Sequence, residues 1–412
     1  MGIYAKKKPG ARAMSGVQAQ YEAYPYPARD PEDERRRLIT GSPSHVLEID
    51  HFVFEGQRDW SQPLRVLVAG GGTGDGLLQL AQQMADATRP VEITYLDLSA
   101  AARRVAEARA RVRGLKGIRF LTGSLMQAAD LGIFDYIDCC GVLHHLPEPQ
   151  AGFEALLAAL APGGGLGFMV YAPYGRSGVY PLQEAFAALY QGMAPEARLR
   201  AAKAVVAGLP EGHPLCCNPN LGDHRQSDAG FYDLLLHAQD RAFDVTSLIG
   251  VMTAAGWQLS GFTMPGLYDL ARITAVPEHL DALARMAVAE RLRGTIKTHV
   301  GYAVRAAEAR GPAGGGNRAL VPHLKGVRAA ELARAIAQGQ GPRLTFAGVE
   351  TRLTLPKAAA PLIAAVDGRR SLAEIAAGTS SDPIAMGALW AGIERELTAW
   401  GLLVYSGLLR GR

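Results

Sequence analysis

The run Val66-Leu67-Val68-Ala69-Gly70-Gly71-Gly72-Thr73-Gly74 constrains this chain more than any other stretch. Its apolar half has the length of a buried strand. It then breaks into glycines, and an apolar helix pattern follows at once through Leu77, Leu78, Leu80, Ala81 and Met84. Glycines at such a turn let backbone approach a ligand closely, because no Cβ stands in the way. About 23 residues further on, a second apolar strand over residues 91–96 ends at Asp97. An acid at that place can take both hydroxyls of a ribose. The unit predicts a parallel α/β sheet that holds a nucleoside-like cofactor at the carboxyl ends of its strands.

A dinucleotide needs Gly-x-Gly-x-x-Gly, with the helix N-terminus on a pyrophosphate. No frame fits here. Counting from Gly70 and Gly72 puts the third position at Asp75, and counting from Gly72 and Gly74 puts it at Leu77. An aspartate at the helix start repels a pyrophosphate and suits a ligand without phosphates. S-adenosylmethionine, built from adenine, ribose, a sulfonium and an amino acid, is such a ligand.

Four more blocks follow in order. They are residues 93–99; Phe120-Leu121-Thr122-Gly123-Ser124-Leu125; Phe134-Asp135-Tyr136-Ile137-Asp138-Cys139-Cys140-Gly141-Val142-Leu143-His144-His145-Leu146-Pro147; and Leu160-Ala161-Pro162-Gly163-Gly164-Gly165, which leads into residues 166–171. With these blocks the chain resembles the class I S-adenosylmethionine-dependent methyltransferases, closely over residues 64–171 and loosely over 245–305. The resemblance implies a doubly wound, Rossmann-like α/β sheet of seven strands. It also implies a cofactor set of Ala69, Gly70, Gly71, Gly72, Gly74, Asp97, Leu98, Gly123, Ser124, Leu125, Cys140 and Gly141. Two positions depart from the family. Val68 stands where an acid usually organises the methionine end, and Ser124 stands where an aspartate commonly accepts from the adenine amino group. A serine hydroxyl still accepts one hydrogen bond; a valine cannot replace a carboxylate.

Composition points to a soluble, cytoplasmic enzyme. The 412 residues are 48% apolar, enough for two or three domains. The net charge of +4 implies no strong polyanion partner. Lys6-Lys7-Lys8 is followed by no apolar stretch of a secretory signal, and no run reaches the roughly 18 residues of a membrane span. The cysteines fall in two adjacent pairs, Cys139-Cys140 and Cys216-Cys217, as suits a reducing compartment.

The organisation reads as follows. Residues 1–60 hold a loose basic tail of about 14 residues and then a tyrosine and proline cluster, Tyr21 to Pro27, that reads equally as a lid over the site or a strap on the domain surface. Residues 61–310 form the cofactor domain, with a helical insertion at 175–244 over the active site. Glycine-rich 311–317 reads as a flexible linker. Residues 318–412 form a small unit whose capping box at Ser371 and Glu374, later helix and final strand suggest a winged-helix-like module.

Methyl transfer from a sulfonium is an in-line displacement governed by positioning, with a base needed only where the acceptor must lose a proton. His144, His145 and Tyr171 are the catalytic candidates, although a histidine pair there also reads as a loop-shaping element. His213, Cys216, Cys217 and His224 lack metal-site spacing, so no metal is expected. Asp223-His224-Arg225 and His237-Ala238-Gln239-Asp240-Arg241 read either as the lining of an acceptor pocket or as helix-end ion pairs. Phe231-Tyr232-Asp233-Leu234-Leu235-Leu236-His237, with Gln239, Asp240 and Arg241, resembles the regulatory region of rickettsial outer-membrane-protein lysine methyltransferases. That resemblance implies a protein acceptor, lysine first. A small metabolite is the alternative acceptor. A non-catalytic regulator that binds DNA through residues 318–412 is the third reading. That unit has 12 basic and 7 acidic residues, scattered rather than striped, so a nucleic-acid partner is not expected. A homodimer is left open. The acceptor is expected to enter between the insertion and the loop 171–178.

Overall fold

The computed structural model describes residues 10–378 and 382–410; Lys6-Lys7-Lys8 lies outside them. The described chain begins with helix α1 (Gly10–Ala23), followed by α2 (Val46–Val53). The parallel part of the sheet follows: β1 (Leu64–Ala69), α3 (Asp75–Asp86), β2 (Val91–Asp97), α4 (Ala100–Val112), β3 (Ile118–Thr122), β4 (Phe134–Cys140), α5 (Pro149–Ala158) and β5 (Leu160–Tyr171). The insertion carries α6 (Val179–Leu189), α7 (Pro195–Ala207), α8 (Pro214–Cys217), α9 (Asp223–Gln226) and α10 (Asp228–Leu235). Then α11 (Val245–Ala254), β6 (Trp257–Phe262), α12 (Ala282–Arg293) and β7 (Thr298–Arg305) close the sheet. Its order is β3-β2-β1-β4-β5-β7-β6, with β7 antiparallel to both neighbours. This is the expected doubly wound, seven-stranded architecture.

The central strand explains why the sheet is covered on both faces. Side chains alternate across a strand, so an unbroken apolar run must meet two cores. Leu67 and Ala69 enter one core with Ile137, Phe168 and Trp257, while Val66 and Val68 enter the other with Tyr95, Tyr136 and Tyr302. Each such Leu or Val contributes roughly 1.5–3 kcal/mol through burial. The insertion has a core of its own, built from Val179, Phe186, Leu199, Phe231 and Leu235.

The last unit runs through β8 (Pro322–Leu324), α13 (Ala329–Ala337), β9 (Arg343–Phe346), β10 (Val349–Arg352), α14 (Ala360–Ala364), α15 (Leu372–Ala377), α16 (Pro383–Thr398) and β11 (Leu403–Tyr405). The capping box forms, with the Glu374 amide donating to Ser371 Oγ and the Ser371 amide donating to Glu374 Oε2 at 2.7 Å. Helices followed by a strand stand where the sequence places them. The hairpin β9–β10, however, precedes those helices, and β11 pairs back with β8.

The flexible linker is not observed. The Ala313 amide donates to the His51 carbonyl at 2.8 Å and the Gly315 amide to Glu394 Oε1 at 2.6 Å. Behind this stands α2, which is buried all round and carries three buried polar residues. Glu48 meets Lys325 and the Tyr302 hydroxyl. Asp50 accepts from Trp60 Nε1 at 3.0 Å, Ser406 Oγ at 2.7 Å and the Gly407 amide at 2.8 Å. His51 Nδ1 accepts from the Tyr405 amide at 3.2 Å. A buried polar group without its partner costs about 1–3 kcal/mol, more when it is charged. Docking of the last unit therefore completes α2, and one continuous core joins that unit to one face of the sheet.

Two outcomes follow. Deleting residues 318–412 exposes that core and strips Glu48, Asp50 and His51 of partners, so the truncated chain should be insoluble or melt well below the full chain. A truncated chain that melts cooperatively at the parental temperature would make the rest of the chain independent of that unit. Burial also holds the His51 ring down at about 4, from an ordinary value of 6.5. The folded form keeps the ring neutral, so stability is full above 6.5. It is lost as pH falls towards about 4, at roughly 1.4 kcal/mol per pH unit. His51→Gln should show a shallower acid-side loss in denaturant titrations; equal slopes would remove His51 from the linkage.

Candidate active site

The glycine turn leaves β1 in backbone conformations that exclude side chains. Gly70 has φ 74°, and a Cβ on it would lie 2.3 Å from Val142 Cγ2. Gly72 has φ 52°, and a Cβ there would lie 2.8 Å from the Tyr26 carbonyl oxygen. Only glycine meets both demands. Asp97, at the end of β2, holds the turn: Oδ2 accepts from the Gly72 amide and Oδ1 from the Ser99 amide, each at 2.8 Å. Burial raises its carboxyl, against the lowering effect of these two amides.

A cavity of about 350 Å³ opens beside the turn, inside the size range of small-molecule sites. Ten of the expected cofactor residues line it: Gly70, Gly71, Gly72, Asp97, Leu98, Gly123, Ser124, Leu125, Cys140 and Gly141. Ala69 and Gly74 do not. Ala69 faces the core, and a Cβ on Gly74 would lie 3.0 Å from Ala106 Cβ, so that glycine serves the packing of α3 on α4. Ser124 Oγ already caps a helical turn by accepting from the Met126 amide at 3.2 Å.

The tyrosine and proline segment closes one side of the cavity through Tyr21, Tyr26 and Pro27. It is latched in place. Thr73 Oγ1 donates to the Pro27 carbonyl at 2.7 Å, and Ser99 Oγ to the Tyr21 carbonyl at 3.1 Å. Further on, Arg29 pairs with Asp75 at 2.6 Å. Asp75 also pairs with Arg109, which is 1% exposed and reaches Glu34 at 2.6 Å and the Thr73 carbonyl at 2.8 Å. The two guanidinium groups hold the Asp75 carboxyl below its usual value despite burial.

Tyr171, His145 and Asp233 also line the cavity, next to Tyr21. Asp233 Oδ1 accepts from the Tyr21 hydroxyl and Oδ2 from the Tyr171 hydroxyl, each at 2.9 Å. His145 Nδ1 lies 2.9 Å from the Gln239 carbonyl oxygen, which can only accept, so Nδ1 carries the proton and Nε2 is the basic nitrogen. His237 stacks on His145 at 3.7 Å, receives the Gln239 amide on Nδ1 and meets the Tyr21 hydroxyl through Nε2. His144 does not line the cavity. It is fully buried against the Tyr171 ring at 3.9 Å, and burial holds it well below its usual value, so among the three candidates it is a packing residue.

Two groups among the described residues have metal-ligating atoms close together: His145, Asp233 and His237, and His144, His145 and Asp240. In the first group the tyrosine hydroxyls and the Gln239 backbone engage Asp233 and His237 on both sides and His145 Nδ1, leaving His145 Nε2 as the one nitrogen without a partner there. Asp240 pairs with Arg176 at 3.1 Å, behind Tyr171. Asp223-His224-Arg225 does not line the cavity. Cys216 and Cys217 are exposed.

Sequence reasoning placed Asp233 in the resembling run Phe231–His237 but not among the site residues, and it missed Asp138 as a site residue as well. The first becomes visible only when the insertion folds back on β5. The second needs the strand register, described below.

Residues 67–166 match the model of a methyltransferase domain family. An uncharacterized protein of Synechococcus sp. is 32% identical over 259 residues, covering 60% of this chain and 59% of that relative. The chain thus spans less than two thirds of that relative. Among solved structures, PKMT2 from Rickettsia typhi, in complex with AdoHcy, superposes with a TM-score of 0.57 at 14% identity, over 90% of this chain and 76% of that one. A second structure of the same protein gives 0.56 at 13% identity, over 87% and 75%. At this identity the likeness is one of fold.

Replacing Arg109 by Leu leaves Glu34 and Asp75 with a missing buried partner. Denaturant unfolding should show a loss of roughly 3–5 kcal/mol. A loss under 1 kcal/mol would show that Arg29, and Arg113, which also pairs with Glu34, hold the turn without it.

Proposed function

We propose, on the premise that this chain is a class I S-adenosylmethionine-dependent methyltransferase, that it places the methyl group on an amine nitrogen of a protein, a lysine side chain. The observation that carries this reading is the Asp233 carboxylate between the hydroxyls of Tyr21 and Tyr171, with His145 beside it in the same cavity. Carboxylate and tyrosine oxygens bind the hydrogens of an amine, and aromatic faces accept its charged form. The rickettsial fold neighbour and the short resemblance at Phe231–His237 agree with a protein acceptor.

The cavity fits the cofactor. Asp97 would take the ribose hydroxyls, Leu98, Ser124 and Leu125 would hold the adenine, and the Gly70–Gly72 backbone with Cys140 and Gly141 would hold the amino-acid end. When bound, S-adenosylmethionine supplies an electrophilic methyl group on its sulfonium. The residues of the chain do the rest. Tyr21, Tyr171 and Asp233 orient the acceptor nitrogen along the line of attack, which is the main catalytic need of such a displacement. His145 Nε2 takes the proton that a lysine ammonium must lose, and the Gln239 carbonyl keeps the ring in the tautomer with that nitrogen free. The segment Tyr21–Pro27 and the insertion exclude water. The acceptor then enters between the insertion and the loop 171–178, whose Arg176 is held over the Tyr171 ring at 3.6 Å.

Transfer of labelled methyl into cell extract, split into protein and small-molecule pools, tests the acceptor. Label should appear in protein and, after hydrolysis, in methylated lysine; label confined to small molecules would establish the metabolite reading instead. His145→Gln should leave S-adenosylhomocysteine binding intact and lower kcat by about 10²–10⁴. The deficit should shrink as pH rises and the acceptor amine loses its own proton. An unchanged kcat would take the proton away from His145.

A further inference from the structure

We infer that the Asp138 carboxylate on β4 is the anion that receives the α-ammonium group of the cofactor's amino-acid end, a place for which β1 offers only Val68. The inference rests on the S-adenosylmethionine reading of the cavity.

The register places the two residues together. β1 and β4 are parallel, and Val68 is the Cα partner of Asp138, so both side chains leave the same face at the same height. Both line the cavity beside Gly70 and Gly76. The strand that carries the glycine turn is therefore apolar where its neighbour is acidic.

Asp138 differs from the other three carboxylates that line this cavity. Asp75 has two arginines, Asp97 two backbone amides and Asp233 two tyrosine hydroxyls. Asp138 is 2% exposed, and its Oδ2 has no hydrogen-bond partner. Burial pushes its carboxyl up to about 6, and only the Ser44 hydroxyl works in the other direction; no cationic side chain does. A buried carboxylate without a counterion is costly, and burial beside a ligand cavity lets the ligand supply that counterion. The glycine at position 76 makes room for the Ser44 hydroxyl beside Asp138: a Cβ there would lie 2.3 Å from Ser44 Oγ and 3.6 Å from Asp138 Oδ2.

The chemistry selects the α-ammonium. It is compact and carries three N–H donors, so it can satisfy Oδ2 directly. The sulfonium has no hydrogen to donate, and adenine and ribose belong to the end bordered by Asp97 and Ser124.

Calorimetry on the full chain tests this with two ligands, S-adenosylhomocysteine and 5′-methylthioadenosine, which lacks the amino-acid end. Asp138→Asn should weaken S-adenosylhomocysteine tenfold or more and leave methylthioadenosine unchanged. Equal weakening of both, or of neither, overturns the assignment. If the variant does not fold, the wild-type chain gives the answer with S-adenosylhomocysteine lacking only its α-amino group: a tenfold or greater loss supports the inference, and equal affinity overturns it. A wild-type chain that binds neither nucleoside overturns the cofactor reading itself, a result distinct from failure of Asp138 alone.

Discussion

Arg109 is the group on which the rest of the site depends. Its guanidinium is almost wholly buried on α4, where an unpaired charge could not persist. It is satisfied by Glu34 from the N-terminal segment, the Thr73 carbonyl from the glycine turn and Asp75 from the first turn of α3. One side chain thus joins the turn to the segment that walls the cavity. Asp75 completes the logic. An acid at a helix N-terminus is favoured by the helix dipole, and two arginines remove its cost of burial. Asp75 is also the anchor for Arg29, two residues after Pro27.

The parts of the site that could be read from sequence are those whose meaning is local. The glycine turn is legible because the strand, the glycines and the helix that follow one another in sequence set its backbone angles. Asp97 is legible because it ends the second strand of the same unit. Asp138 is not, because an aspartate inside an apolar strand reads as an interruption until the register shows Val68 beside it. Asp233 is not, because its two hydroxyl partners lie 212 and 62 residues away in sequence. His144 and His145 cannot be separated by pattern, since neighbouring residues in a short helical turn face different ways. The structure sends one into the core and the other to the cavity.

The segment 311–317 shows the same limit from the opposite direction. Glycine-rich composition measures the freedom of an unpartnered chain, and a linker is mobile only while its amides have nothing to meet. Here Ala313 and Gly315 meet His51 and Glu394, and Arg310 reaches the Val53 carbonyl. The glycines serve close approach: a Cβ on Gly315 would lie 2.8 Å from the Tyr405 hydroxyl.

These couplings make α2 and the N-terminal segment two sides of one arrangement. Residues ahead of β1 supply Tyr21 and Tyr26 to the cavity, Glu34 to the arginine network, and Glu48, Asp50 and His51 to the last unit. Tyr21, Glu34, Glu48, Asp50 and His51 are polar, and each meets a partner delivered by a later part of the chain. Hydrophobic burial alone would let the segment slide over an apolar face, because it has no direction. Hydrogen bonds and ion pairs of fixed geometry do not allow that. The sheet therefore sets where a cofactor can lie, while the polar residues of the first 54 positions set how closely the cavity is walled and which groups face it.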